Sequence, residues 1–166
     1  WRGTTDPYVI WLSEIILQQT RVEQGKPYFL KFLENYPTVK DFASATEEQV
    51  LKLWQGLGYY SRGRNMLYTA RYIVEHYGGQ FPKSYNELVK LKGVGAYTAA
   101  AISSFSSNER QAVVDGNVYR VLARYFGIEE PINSNAGQKM FADLAKELIA
   151  DQEPSVYNQA IMEFGA

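Results

Sequence analysis

Cysteine is absent from this sequence, and His76 is its only histidine. Without cysteine there is no disulfide framework, and a zinc site within these residues is nearly excluded. Cys–His and Ser–His nucleophile arrangements go with them. Acid–base chemistry must therefore fall to carboxylates, lysine or tyrosine. His76 precedes Gly78-Gly79 at a predicted helix end, where a histidine suits the dipole, and no function is read into it. Long apolar runs are also missing. The best, Tyr8 to Leu17, is broken by Ser13 and Glu14 and falls short of membrane length. No signal-peptide pattern is found. No segment sustains a period of two between turn signals, so sheet is excluded and the fold class is all-α. Repeats and low-complexity linkers are lacking.

An excess of basic charge is lacking too. Seventeen Lys and Arg face 18 Asp and Glu, for a net charge of −1. That argues against a uniformly basic surface for nucleic acid. The charge is segregated, however. Lys52, Arg62, Arg64 and Arg71 contrast with Glu129, Glu130, Asp143, Glu147, Asp151 and Glu153.

What is present suits a soluble globular domain: 166 residues, enough to bury a core, with 46% hydrophobic and 21% charged residues. The chain starts at Trp1 rather than Met and stops at Ala166 after an apolar helical pattern, so it is expected to be a piece of something longer. Asp6-Pro7 predicts a helix start, with Asp as N-cap and Pro at the first position. That helix runs to about Thr20 and is apolar on most sides. Glu14 lies inside it, with Ile10, Trp11, Leu17 and Gln18 as helical neighbours. Such a carboxylate either snorkels to solvent or is held for a purpose, and burial would keep it protonated closer to neutral pH. Further helices are predicted around Tyr28 to Leu33, from the Thr46–Gln49 capping box to Trp54, and from Met66 to Tyr77. Between the last two, Gly56 to Arg64 is expected as a glycine-broken loop with exposed aromatics and two arginines. Asp115 is expected as the N-cap of a helix carrying Val118, Val121 and Leu122. Met140 to Ile149 and Val156 to Phe164 give the last two, with Gly165 as a stop.

One stretch organises the rest. Leu91 to Ile102 holds a Gly93-Val94-Gly95 turn between two helical segments. Ser84 and Glu87 make a capping box before it, and the alanine-rich Tyr97–Phe105 helix follows. Both glycines can take angles that a Cβ would forbid, and they let another backbone come close. The free N–H groups that open the second helix form an anion site suited to phosphate. The same turn also serves as a plain αα corner. A dinucleotide fingerprint is excluded, because no strand precedes it and the third glycine is missing.

Four ordered stretches carry a resemblance: Trp11 to Thr20, reading Trp-Leu-Ser-Glu-Ile-Ile-Leu-Gln-Gln-Thr; Gly56-Leu-Gly-Tyr-Tyr60; the Gly-Val-Gly hairpin; and Val114-Asp-Gly-Asn-Val118. Together with Asn158 to Ala166, they make the chain resemble the helix-hairpin-helix DNA glycosylases related to endonuclease III, and among these the adenine-excising MutY type. The resemblance spans essentially the whole chain. It implies an all-α catalytic core over residues 1–166, hairpin at about 85–105, with a six-helix barrel-like unit and a DNA cleft between two helical subdomains. It implies a monomer acting on double-stranded DNA with adenine opposite 8-oxoguanine or guanine. The compartment would be the bacterial cytoplasm or nucleoid, or the eukaryotic nucleus or mitochondrion, with no membrane partner.

The implied reaction is hydrolysis of the N-glycosidic bond of a flipped-out adenine. By resemblance, Glu14 is the general acid, Asp115 stabilises positive charge on the sugar, and Asn117 and Tyr97 line the same site. Gln19 and Tyr59 match residues that wedge into the duplex; of Tyr59 and Tyr60, one is expected buried and one exposed. Arg2, Leu17, Val22, Gln159 and Met162 match the adenine pocket. Gly93, Gly95 and Tyr97 supply phosphate-binding N–H groups, joined by Thr98 and Arg62. Backbone carbonyls of Val89, Leu91 and Val94 would hold a monovalent cation, Na+ or K+. Tyr97 stands where strand-nicking relatives carry a catalytic lysine, and Lys92, in the turn, does not replace it. Family members also bind a [4Fe–4S] cluster and carry a domain that reads 8-oxoguanine. Neither the ligands nor that domain is in this sequence, and the 166 residues alone are expected to bind DNA weakly and to excise little. Two other readings are a pyrimidine-lesion glycosylase/lyase and a non-catalytic helix-hairpin-helix module.

Overall fold

A computed structural model describes residues 3–166. Among these residues there are helices and no strand. In chain order they are α1 Pro7–Ile16, α2 Val22–Asn35, α3 Val39–Ala43, α4 Glu47–Trp54, α5 Ser61–Tyr77, α6 Tyr85–Leu88, α7 Ala96–Ser107, α8 Gly116–Phe126, α9 Asn135–Ile149 and α10 Pro154–Gly165.

Local chemistry sets most starts. Asp6 Oδ1 accepts the Tyr8 N–H at 2.9 Å, and Pro7 fills a position where no N–H is needed. Thr46 and Gln49 cap each other's backbone at α4. Thr38 and Asp41 do the same at α3, a short helix that the sequence pattern does not announce. At α6 Ser84 supplies the cap alone, accepting the Glu87 N–H at 3.3 Å.

Several boundaries differ from expectation. α1 stops at Ile16, because Gln19 turns into the left-handed region at φ 57°. α2 begins upstream of Pro27, at Val22. α5 begins at Ser61, so Arg62 and Arg64 are helical rather than in a loop. Gly165 closes α10 from within. Its glycine identity serves close approach: a Cβ there would sit 2.5 Å from the Asn117 carbonyl oxygen on α8.

α1 is the buried axis. It packs on α2 and α7, while α3 and α4 pack on α5, and α10 packs on α7 and α8. Trp11 lies among Tyr8, Phe42 and Phe81, with ring centroids 5.2–6.0 Å away. Buried apolar residues from Tyr8 to Val113 form one cluster. Val118, Leu122, Phe141 and Ala145 form a second, and Met162 packs against both. Glu14 and Tyr97 thus belong to elements of the first cluster, whereas Asp115 caps the leading helix of the second.

Tyr8 ties α1 to the end of α2 by donating to the Tyr36 carbonyl at 2.6 Å. Burial, then Asp41 and Asp6, push its phenol above the usual range. The folded chain therefore holds this proton more tightly than the unfolded one, and the resulting stability is full below about pH 10 and falls above it. Tyr8→Phe should cost about 1–3 kcal/mol in urea unfolding, because the buried carbonyl loses its donor. The variant should also lose less stability than the wild type as pH rises past 10.

Candidate active site

Tyr97 joins two carboxylates. Its hydroxyl lies near enough to the Glu14 carboxyl, and to Asp115, for both to act on it. Burial first, then the charges of Glu14 and Asp115, hold the phenol above its usual range. It therefore stays a neutral donor. Glu14 and Asp115 are both half-buried, so each keeps a path to solvent.

The mounting of Asp115 is local. Its Oδ1 accepts the Val118 N–H at 2.8 Å as the N-cap of α8, and Oδ2 receives Asn117 Nδ2 at 3.5 Å. The segment before it is clamped by Asn158. That buried side chain accepts the Val113 N–H at 3.0 Å and donates to the Gln111 carbonyl at 2.8 Å. A buried amide that satisfies two backbone groups of an irregular segment fixes that segment firmly.

The hairpin follows expectation in part. Gly93 has φ 80°, and Leu91 closes the turn by accepting the Val94 N–H at 3.1 Å. Gly95 does not need its glycine for conformation: at φ −87° any residue fits, and an added Cβ meets nothing within 4 Å. The space before it is open. No side chain caps α7, so its first N–H groups are offered outward. The Thr98 side chain is buried and accepts Gln18 Nε2 at 3.1 Å, so a phosphate contact at this residue would fall to its backbone N–H.

Gln19 and Tyr59 are exposed and are both left-handed, at φ 57° and 49°. Non-glycine residues rarely hold that conformation, and it gathers at functional sites. Tyr59 is 71% exposed and Tyr60 39%, so neither is buried, contrary to expectation. Arg62, expected on the DNA face, turns inward to the carbonyls of Ile15 and Gln18. Arg64 pairs with Glu47 at 2.9 Å, and Arg71 donates to the Ala43 and Ala45 carbonyls. Three of the four cations in the expected basic group are therefore engaged within the chain.

Of the expected pocket residues, Arg2 lies outside the described residues. Leu17, Gln159 and Met162 are half-buried, while Val22 is exposed at the start of α2. Gln159 Nε2 donates to Glu163 at 3.3 Å. Lys92 points away, with its ammonium 4.7 Å from the Tyr68 ring centroid. An open groove of about 620 Å³ between α2 and α4, lined by Tyr28, Lys31 and Lys52 among others, includes none of the candidate residues. Among the described residues no group of His, Cys, Asp or Glu is arranged to hold a metal, and no helix is long and apolar enough to cross a membrane.

Sequence reading missed Gln18, Asn158 and the direction of Arg62. The first two stand in quoted motifs, but nothing local distinguishes a buried amide from an exposed one.

Known proteins share this arrangement at length. The chain is 39% identical to an adenine DNA glycosylase of Buchnera aphidicola subsp. Baizongia pistaciae, over 100% of this chain and 47% of that protein. It is 45% identical to an adenine DNA glycosylase of Rattus norvegicus, over 96% of this chain and 31% of that protein. The chain thus spans about half the length of the first and about a third of the second. A solved thermostable thymine-DNA glycosylase superposes with a TM-score of 0.88 at 32% identity, covering 100% of this chain and 76% of that one. The family described as HhH-GPD superfamily base excision DNA repair protein matches residues 12–148. With most of its length matched, the chain belongs to the HhH-GPD superfamily of base excision DNA repair proteins.

Proposed function

We propose that the chain is the base-excising core of an adenine DNA glycosylase, acting on adenine opposite 8-oxoguanine or guanine in duplex DNA. One observation carries this reading: Glu14, Tyr97 and Asp115, far apart in sequence, come together at one place, each half-buried. In this reading the adenine leaves the stack and enters the site. Glu14 donates a proton to the purine as the C1′–N9 bond breaks. Asp115 faces the positive charge that develops on the sugar. Water adds its oxygen to C1′, its proton passes to Glu14, and free adenine and an intact strand with an abasic site remain. Asn117 orients Asp115. Gln19 and Tyr59 fill the gap in the duplex, and the hairpin N–H groups of Gly93, Gly95 and Tyr97 hold phosphate. Leu17, Val22, Gln159 and Met162, with Arg2, would line the adenine.

The resemblance implies two bound groups, a monovalent cation and a [4Fe–4S] cluster. The Leu91 carbonyl accepts one N–H and keeps a second lone pair, so with Val89 and Val94 it would suit a monovalent cation that neutralises phosphate charge at the hairpin. A [4Fe–4S] cluster finds no ligand, because these residues contain no cysteine, and no step runs through one.

The lyase reading lacks an amine. Tyr97 occupies the relevant place, and Lys92 is turned to Tyr68. A thymine-excising reading has the 32% likeness behind it, but the two adenine glycosylases are closer, at 39% and 45%.

The deciding assay measures base release by the full-length protein from duplexes with A opposite 8-oxoguanine, A opposite G and T opposite G. Adenine should be released from the first two and thymine should stay. Glu14→Gln should slow release by about 10²- to 10⁴-fold, the range for a lost general acid, while duplex affinity survives. Thymine release without adenine release would overturn the assignment. For the reaction type, borohydride trapping should give no covalent complex with the wild type and one with Tyr97→Lys. A wild-type complex would mean that another amine attacks the sugar.

A further inference from the structure

Three separate elements must act together in the proposed reaction: the end of α1, the Tyr59 loop and the hairpin. We infer that Arg62 and Gln18 are positioning residues that join these three, so that seating Gln19 and Tyr59 in the duplex fixes where Glu14 stands. The inference rests on the adenine glycosylase reading and deepens it.

Arg62 Nη1 donates to two carbonyls, Ile15 at 3.0 Å and Gln18 at 2.8 Å. These belong to the last turn and exit of α1, where a cation suits the negative end of the dipole. The same guanidinium carbon lies 5.1 Å from the Trp54 ring centroid and 5.8 Å from that of Tyr59. Trp54 is fully buried and Tyr59 largely exposed, so Arg62 links the core to the wedge. Gln18 continues the path, because its Nε2 donates to Thr98 on α7, the neighbour of Tyr97. Tyr97 in turn stands beside Glu14. A closed line of contacts therefore runs from Tyr59 through Arg62, Gln18, Thr98 and Tyr97 to Glu14.

Strain supports the same conclusion. Of the three left-handed non-glycine residues among those described, Gln19, Tyr59 and Asn108, the first two lie next to contacts of this one guanidinium. Such angles persist only where the surroundings over-determine them. Arg62 is the contact common to both: it holds the carbonyl of the residue before Gln19, and it lies under the Tyr59 ring. A single nitrogen makes both carbonyl bonds, and Arg62 Nε is buried without a partner. A lysine ammonium can therefore replace the bonds, whereas a methionine keeps only the apolar stem.

The test uses the full-length wild type with Arg62→Met, Arg62→Lys and Thr98→Val. Adenine release is followed under single-turnover conditions with saturating enzyme. Affinity is measured on a duplex whose target sugar carries a 2′-fluoro group that blocks cleavage. Thermal unfolding of each variant is recorded. Arg62→Met should lower the saturated rate by roughly 10- to 100-fold, as expected when a catalytic group shifts by about an ångström, with affinity changed by less than about threefold. Arg62→Lys should recover most of that rate. Thr98→Val should lower the rate without changing affinity. 2-Aminopurine beside the target adenine should still brighten with Arg62→Met, because extrusion continues while chemistry slows. Wild-type rates in Arg62→Met and Thr98→Val overturn the joint alone. So does a loss of rate that only tracks loss of folded protein, or a lysine variant no better than methionine. Absence of adenine release by the wild type overturns the functional reading, and the joint with it.

Discussion

The meeting of the Tyr97 hydroxyl with the Glu14 carboxyl is the constraint on which the site depends. It crosses from α7 to α1, and it forms only because the hairpin starts α7 just before Tyr97. Burial of the phenol keeps it neutral, so it adds no negative charge beside the two carboxyls. Asp115 approaches from the other helical cluster, as the N-cap of α8. A site made from two clusters needs them held together, and several contacts do this. Met162 packs on both, Asn158 clamps the segment before Asp115, and Gly165 lets α10 close against the start of α8.

The charge distribution has a consequence for DNA. Arg62, Arg64 and Arg71 each satisfy groups of the chain itself. Cations committed in this way contribute less to counterion release on a phosphate backbone. Contact in the proposed complex then falls to backbone N–H groups at the hairpin and to Gln19 and Tyr59. That suits a protein that must hold one distorted position in a duplex rather than a long footprint.

Helix type and order were legible wherever a local device was present. Asp6-Pro7, Thr46 with Gln49, and Asp115 all cap the helices that the sequence announces, since a cap is a contact between near neighbours. The end of α1 was not legible. It depends on Arg62, which lies 44 residues away from Gln18 in sequence. Which role each hairpin glycine plays was not legible, because a turn pattern cannot distinguish a glycine required by its φ, as at Gly93, from one that leaves space in front of a backbone, as at Gly95. The meeting of Glu14 with Tyr97 came only through resemblance, because helical periodicity places residues on faces but does not bring distant faces together.

The most direct test is a crystal structure of the full-length Glu14→Gln protein bound to a duplex with adenine opposite 8-oxoguanine. The target adenine should be extruded, with its ring within hydrogen-bond distance of residue 14 and its sugar C1′ facing Asp115. Gln19 and Tyr59 should occupy the gap left in the stack. An adenine still stacked in the duplex, or one extruded into a pocket away from residue 14 and Asp115, would contradict the account.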